Sequence, residues 1–252
     1  MKIRLNEGWA FSLGEPDRFA PVTLPHDWQI DEPAQWYQSA VGWYRRSLEA
    51  PFLKAGRRVF LQFDGVYMNA TVFVNGHQAG EWKYGFTAFE LDITEHLDPE
   101  TENTLLVKVD ARFPSARWYT GAGIYRPVHL VVKNPCHFVR DGIYITTHKS
   151  DGQWRYEVQA EVETGGQPYT VRHRLLEQGE IIPWSPGNPQ LYTLRSSLFV
   201  SGQLMDVADT RFGFRELRFS PEEGFSINGD RMKLNGACLH QEFSIIGAAV
   251  HR

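Results

Sequence analysis

Two pairs of adjacent aromatic residues, Trp36-Tyr37 and Trp118-Tyr119, are the side chains that point most directly to ligand binding. Flat aromatic rings bind sugars by covering the C–H faces of the sugar ring. The first pair lies in the polar stretch 29–40, where the rings either line a glycan pocket or cap a hydrophobic core. The second pair follows Arg117, and for Arg117 and Trp118 a binding role and a structural role both stay open.

The acidic residues do not form a recognisable catalytic pair. Glu216, Glu222, Glu223 and Glu242 are the nearest candidates, but Glu222-Glu223 follows a proline in a predicted turn, where solvated acids are common. No spacing among them selects an acid and a base. The sequence also lacks the HExxH and CxxC metal patterns, a glycine loop leading into a helix and a serine nucleophile elbow. We therefore expect no metal and no cofactor.

Composition and charge limit the classes of partner that we expect for the chain. A net charge of −4 over 252 residues argues against nucleic acid, because phosphate binding needs a basic surface. Residues 1–11 are charged and short of apolar side chains, so they predict neither a signal peptide nor a membrane span. Cys136 and Cys238 are expected to be buried free thiols. Together these features predict a cytoplasmic protein without membrane contacts.

The elements that must position the aromatic residues are predicted to be β-strands. Val59, Leu61 and Phe63 alternate with residues of the opposite face, which is typical of a half-buried strand. Asn75-Gly76 tolerates positive φ and predicts a tight hairpin, so the stretch 57–97 is predicted to be a β-meander. Residues 103–110, 153–163, 169–176 and 192–200 show similar alternation.

Residues 63–94, FDGVYMNATVFVNGHQAGEWKYGFTAFELDIT, closely resemble the sugar-binding jelly-roll domain that opens the enzymes of glycoside hydrolase family 2. That family contains β-galactosidases, β-glucuronidases and β-mannosidases. The stretches 24–28, 41–46 and 117–128 resemble the same domain, and 117–128 resembles the segment that runs beside the active site.

The resemblance implies an all-β fold with three consecutive parts. A jelly-roll β-sandwich is expected at 1–134, a smaller immunoglobulin-like β-sandwich at 135–212, and a short C-terminal stub of a (β/α)8 barrel at 213–252. The second part is short for a seven-stranded sandwich. Whether it is a trimmed fold or lacks a segment near 180–183 stays open. The third part is much shorter than a complete barrel of about 250 residues.

The resemblance also implies a function. Family 2 enzymes are retaining glycosidases that use two glutamates on later barrel strands, the acid/base one within an Asn-Glu pair. The chain has Asn-Glu only at Asn6-Glu7, in the opening strand, so we expect it to be inactive alone. His240-Gln241-Glu242 stands where β-galactosidases tend to have His-His-Asp, which implies that His240 binds a sugar hydroxyl and Glu242 fills the acidic position.

We therefore interpret the chain as the non-catalytic N-terminal part of a β-galactosidase-like enzyme that cleaves terminal β-galactosides. The substrate alternatives are β-glucuronides and β-mannosides. Two other classes stay open: a stand-alone carbohydrate-binding module, favoured by Trp36-Tyr37 and Trp118-Tyr119, and a purely structural scaffold. The expected partner is a β-glycoside or oligosaccharide, and association between copies of the chain is left open.

Overall fold

The computed structural model describes residues 1–30, 36–116, 118–238, 240 and 247–249. They form two compact units. The first unit comprises Met1–Lys133 and the described residues from Cys238 onward, and the second comprises Asn134–Ala237. Within these described ranges, no helix is long and apolar enough to span a membrane.

The first unit is a sandwich of two antiparallel sheets. Its strands are β1 (Lys2–Arg4), β2 (Trp9–Leu13), β3 (Ala20–Val22), β4 (Ala40–Leu48), β5 (Arg58–Phe63), β6 (Ala70–Val74), β7 (His77–Trp82), β8 (Phe89–Asp92), β9 (Asn103–Ala111) and β10 (Val128–Lys133). One sheet has the order β1-β10-β5-β8, and the other has the order β3-β2-β4-β9-β6-β7. Short 3₁₀ helices at Pro51–Ala55 and Thr94–His96 lie in the connections.

The core of this sandwich follows from the alternation of the strands. Val59, Leu61 and Phe63 of β5 are fully buried, as the period of two predicts, and every second residue of β9 faces the same core. Phe60 is also buried, and the ammonium group of Lys133 lies 4.9 Å from the centre of its ring. Strand β5 is thus covered on both faces, although the sequence predicts a half-buried strand.

The meander predicted over residues 57–97 is wrong in its sheet pairing. Strand β5 pairs with β10 and β8, whereas β6 pairs with β7 and β9 in the other sheet. The chain therefore crosses between the sheets in the connection 64–69. The β6–β7 hairpin itself is confirmed, with φ of 50° at Asn75 and 82° at Gly76.

The second unit contains a smaller sandwich. Its strands are β11 (His137–Ser150), β12 (Gln153–Glu163), β13 (Tyr169–Leu175), β14 (Tyr192–Val200) and β15 (Gln203–Phe212), followed by β16 (Leu217–Ser220), β17 (Gly224–Ile227) and β18 (Asp230–Arg231). Strands β11 and β12 form one sheet, and β13-β14-β15 form another. Cys136 and Phe138 pack with Leu198 and Val200 in a common core. Residues 176–191 are all described and contain no strand, so this sandwich has fewer strands than a seven-stranded immunoglobulin domain.

The all-β fold with two sandwiches is confirmed, but the barrel stub is not visible. Strands β16, β17 and β18 form a small antiparallel sheet, and the described residues beyond Arg231 contain no strand. The residue boundaries predicted for the three parts stay a prediction. Cys136 is buried as expected, but Cys238 is exposed, because residues 232–238 lie outside any strand and are mostly exposed.

Candidate functional site

A cluster of aromatic rings lies on the first unit and joins the residues that the sequence singles out. We call it the aromatic cluster, and it consists of Trp36, Tyr37, Tyr67, Phe86, Phe113, Trp118, Tyr119 and His240. Neighbouring rings in it have centroids between 4.1 and 6.4 Å apart. Several of its members are partly exposed, and the side chain of Trp118 is 38% exposed. The cluster therefore offers aromatic surface to a ligand.

Trp118 and His240 form the closest pair in this cluster. Their rings stack with centroids 4.1 Å apart and an angle of 22° between the planes. The two residues come from distant parts of the chain, and the resemblance assigns both segments to the neighbourhood of a sugar. The structure therefore brings two predicted site residues into direct contact.

Trp36 and Tyr37 are supported by Tyr119 rather than buried in the sandwich core. The Trp36 ring lies 5.2 Å from the Tyr119 ring, and the Tyr37 ring lies 6.4 Å from it. Both side chains remain exposed over more than a third of their surface. Tyr37 also has φ of 64°, a left-handed conformation that is uncommon for an aromatic residue. Their predicted role in sugar contact stays a prediction.

Asp27 is a central residue of this region, and sequence reasoning missed it. Its side chain is 3% exposed and accepts four hydrogen bonds. Oδ1 accepts from the backbone N–H groups of Gln29 (3.1 Å) and Ala122 (2.9 Å). Oδ2 accepts from the hydroxyl of Tyr119 (2.7 Å) and the backbone N–H of Ala248 (2.9 Å). The available signal was an acid directly before Trp28, because a carboxylate that is buried beside a large apolar ring must find hydrogen-bond partners.

His26 and Tyr44 form a second polar contact, which supports the loop that contains Asp27. Nδ1 of His26 lies 2.8 Å from the hydroxyl oxygen of Tyr44, which also accepts from the backbone N–H of Ile124 (3.4 Å). Burial raises the pKa of Tyr44 well above its ordinary value, the N–H of Ile124 acts against this rise, and the charge of Asp27 adds to it. Tyr44 therefore stays protonated and acts as a neutral structural group.

The remaining candidates that the structure describes, Glu216, Glu222 and Glu223, are not part of the aromatic cluster. Arg117 and Glu242 lie outside the described residues, so their proposed roles stay predictions. Glu216, Glu222 and Glu223 are exposed on the second unit. Within the part of the chain that the structure describes, no group of three or more His, Cys, Asp or Glu side chains could hold a metal ion.

Two family models match the chain in succession. Residues 24–144 match the model described as "Glycosyl hydrolase 2 galactose-binding domain-like", and residues 146–215 match "Glycosyl hydrolases family 2". Both the aromatic pairs and Asp27 fall within the first match. Together the two matches cover most of the chain.

Known proteins that resemble the chain agree with these models. A β-galactosidase of Bacteroides ovatus is 31% identical, with 98% of this chain and 35% of that protein aligned. The crystal structure of a β-glycosidase from Bacteroides vulgatus has a TM-score of 0.87 at 31% identity, covering 99% of this chain and 38% of that one. A β-glucuronidase structure from Bacteroides uniformis has a TM-score of 0.86 at 28% identity, covering 100% of this chain and 36% of that one.

The chain spans about a third of the length of the curated relatives it matches. The matched part consists of two consecutive domains of one family, over residues 24–144 and 146–215. The chain therefore belongs to family 2 of the glycoside hydrolases and represents an N-terminal, β-sandwich portion of such an enzyme.

Proposed function

We propose that the chain is part of an enzyme that hydrolyses terminal β-galactosides with retention, and that its aromatic cluster contributes to the sugar pocket. The family and the relatives named β-galactosidase and β-glucuronidase support a β-glycosidase of this kind. We assign galactose rather than glucuronic acid or mannose to the substrate, because the residues around His240 resemble those of β-galactosidases. The partner of the chain is accordingly a β-glycoside.

The stack of Trp118 on His240 is the observation that carries this proposal. A partly exposed indole ring can cover the C–H face of a pyranose, while an imidazole nitrogen beside it can bond a hydroxyl group of the same sugar. The two rings lie 4.1 Å apart, which is close enough for one sugar residue to contact both. Trp36 and Tyr37 extend the aromatic surface from the neighbouring loop.

Hydrolysis itself requires groups from elsewhere in the enzyme. Retention needs two carboxyl groups about 5–5.5 Å apart, one as nucleophile and one as acid and base. Glu216, Glu222 and Glu223 are solvated side chains of the second unit, whereas the aromatic cluster belongs to the first. In this proposal the described residues bind and orient the sugar, and the barrel of the enzyme supplies both catalytic carboxylates.

A titration with sugars tests the proposal. We expect the chain to bind methyl β-galactoside in isothermal calorimetry, and Trp118→Ala to weaken this affinity about five- to tenfold through loss of the ring contact. Trp82 is the matched control, because it is also 38% exposed but stacks on Phe89 outside the aromatic cluster. Trp82→Ala should leave the affinity unchanged.

The alternatives predict different results. A purely structural scaffold predicts no heat with methyl β-galactoside, β-glucuronide or β-mannoside, which would refute the sugar-binding role. If the β-glucuronide or the β-mannoside binds more tightly than methyl β-galactoside, that glycoside becomes the proposed substrate class. If the chain is a stand-alone carbohydrate-binding module, it should bind sugar, and its reading frame should not continue past codon 252 into an Asn-Glu pair. If the chain is part of an enzyme, the reading frame should continue into such a pair. The genomic sequence therefore distinguishes the two.

A further inference from the structure

The carboxylate of Asp27 joins three separate segments of the first unit. Its partners are the N–H of Gln29 on its own loop, the N–H of Ala122 and hydroxyl of Tyr119 on a second segment, and the N–H of Ala248 on a third. An ionised carboxylate only accepts hydrogen bonds and has about four lone-pair sites. The four donors therefore use its full capacity.

The occupied acceptor sites of Asp27 argue against direct contact with a sugar and indicate a positioning role. Asp27 is almost completely buried, so neither exposed surface nor a vacant lone pair remains for a sugar hydroxyl. A buried carboxylate with charge-assisted bonds instead fixes the groups that donate to it. Asp27 is thus suited to hold other residues in place rather than to contact a ligand.

The backbone around the carboxylate is packed too tightly for side chains. Gly121 and Gly247 have φ of 66° and 56°, and a Cβ atom at either position would overlap Oδ2 of Asp27. Glycine is the residue that allows both the left-handed conformation and such a close approach. The segments around Gly121 and Gly247 can therefore approach the carboxylate of Asp27 closely because each has a glycine at the point of contact.

The donors of Asp27 lead directly to the aromatic cluster. The Tyr119 hydroxyl binds Asp27, and the ring of the same residue contacts both Trp36 and Tyr37. Residue 118 precedes this anchored tyrosine and stacks on His240. We propose that Asp27 is a positioning residue for sugar binding, which holds Tyr119 and the 247–249 segment so that the aromatic cluster keeps its shape. This inference rests on the proposed function of that cluster.

Asp27→Asn in the full chain tests the inference. Asparagine keeps one acceptor oxygen but turns an N–H group toward the donors, so at least one of the four bonds is lost. We expect hydrogen exchange at the Ala248 or Ala122 amide to accelerate about tenfold or more, and sugar affinity to fall about three- to tenfold. The amides of Leu105 and Val107 in the core strand β9 should exchange as in the wild type.

Asp92→Asn is the matched control. Asp92 also accepts hydrogen bonds, from the N–H and hydroxyl groups of Thr94 and from Arg58, and neither partner belongs to the aromatic cluster. This variant should keep the sugar affinity of the wild type even where it loses thermal stability. If Asp27 had a purely structural role, Asp27→Asn and Asp92→Asn would both keep the sugar affinity of the wild type.

Tyr119→Phe separates positioning from folding, because it keeps the ring and removes only the hydroxyl donor. We expect it to lower sugar affinity and to add nothing further in combination with Asp27→Asn. Wild-type affinity in folded Asp27→Asn and Tyr119→Phe would overturn the inference and leave the proposed function intact. Absence of sugar binding in the wild type would refute the proposed function, while faster exchange at Ala248 in Asp27→Asn would still support the anchoring role.

Discussion

Two fully buried polar side chains, Asn103 and Ser196, bond to groups from other parts of the chain. Asn103 is fully buried in the first unit, where its amide donates to the carbonyls of Leu48 (3.2 Å) and Asp98 (2.9 Å). Ser196 is fully buried in the second unit, and its hydroxyl lies 2.9 Å from Nδ1 of His173. Each group is satisfied inside the protein, as a buried polar group must be.

We expect His173 to make the stability of the second unit depend on pH. Burial lowers the pKa of His173 below its ordinary value of 6.5, so the unfolded chain takes up a proton more readily than the folded one. Its contribution to stability is therefore complete above pH 6.5 and is lost as the pH falls through the folded pKa. We expect the thermal midpoint to drop between about pH 7.5 and about pH 5.5, and His173→Gln to reduce that drop.

The exposed His77 provides the control for this pH dependence. His77→Gln should leave the drop in thermal midpoint unchanged. An equal pH dependence in His173→Gln and the wild type would show that another group is responsible.

The sequence identifies exposed site residues better than buried ones. Trp118 and His240 are found from adjacent aromatic residues and from the resemblance, and the structure brings them together. Asp27 was not identified because two of its donors, Ala122 and Ala248, come from segments that only the folded chain brings near it. Nothing in the local pattern of residues indicates that these segments meet.

At the scale of elements, strand β4 is the surface on which the Asp27 loop packs. Gly42 of β4 lies beneath the rings of Trp28 and Phe11, which stack with centroids 5.4 Å apart. A Cβ at this position would lie 2.6 Å from the Trp28 ring and 2.7 Å from the Phe11 ring. The missing side chain of Gly42 therefore allows Trp28, and with it Asp27, to lie close to the sheet.

Gly42→Ala should consequently destabilise the first unit. Overpacking against two rings is expected to lower the free energy of unfolding by about 1–3 kcal/mol, measured by urea denaturation. Gly187→Ala makes the same chemical change where no atom lies within 4 Å of the new Cβ, so it should have little effect. Equal stability of Gly42→Ala and the wild type would show that the rings can move aside freely.

Local turns were predictable from the sequence, whereas sheet membership was not. Asn75-Gly76 determines the β6–β7 hairpin through its own backbone preferences, and the structure has the turn. The crossing from β5 to β6 was missed because alternation shows that a strand has a core face but does not identify its partner. The covered outer face of Phe60 was missed for the same reason.

At the scale of the whole molecule, the chain consists of two compact units with unequal cores. The first unit combines two sheets around a large apolar cluster, and the second combines sheets with fewer strands around a small one. The aromatic cluster and Asp27 belong entirely to the first unit. Sugar binding is therefore proposed as a property of the first unit.

The central claim is that the aromatic cluster binds a sugar, and the indole N–H signals of the eight tryptophans test it most directly. Nuclear magnetic resonance spectra recorded during titration with methyl β-galactoside should show saturable shifts for Trp36 and Trp118, identified with Trp36→Phe and Trp118→Phe. Trp82, of equal exposure to Trp118, and Trp154 and Trp184 of the second unit should not shift. No shift at Trp36 or Trp118 with the galactoside, glucuronide or mannoside would contradict the claim.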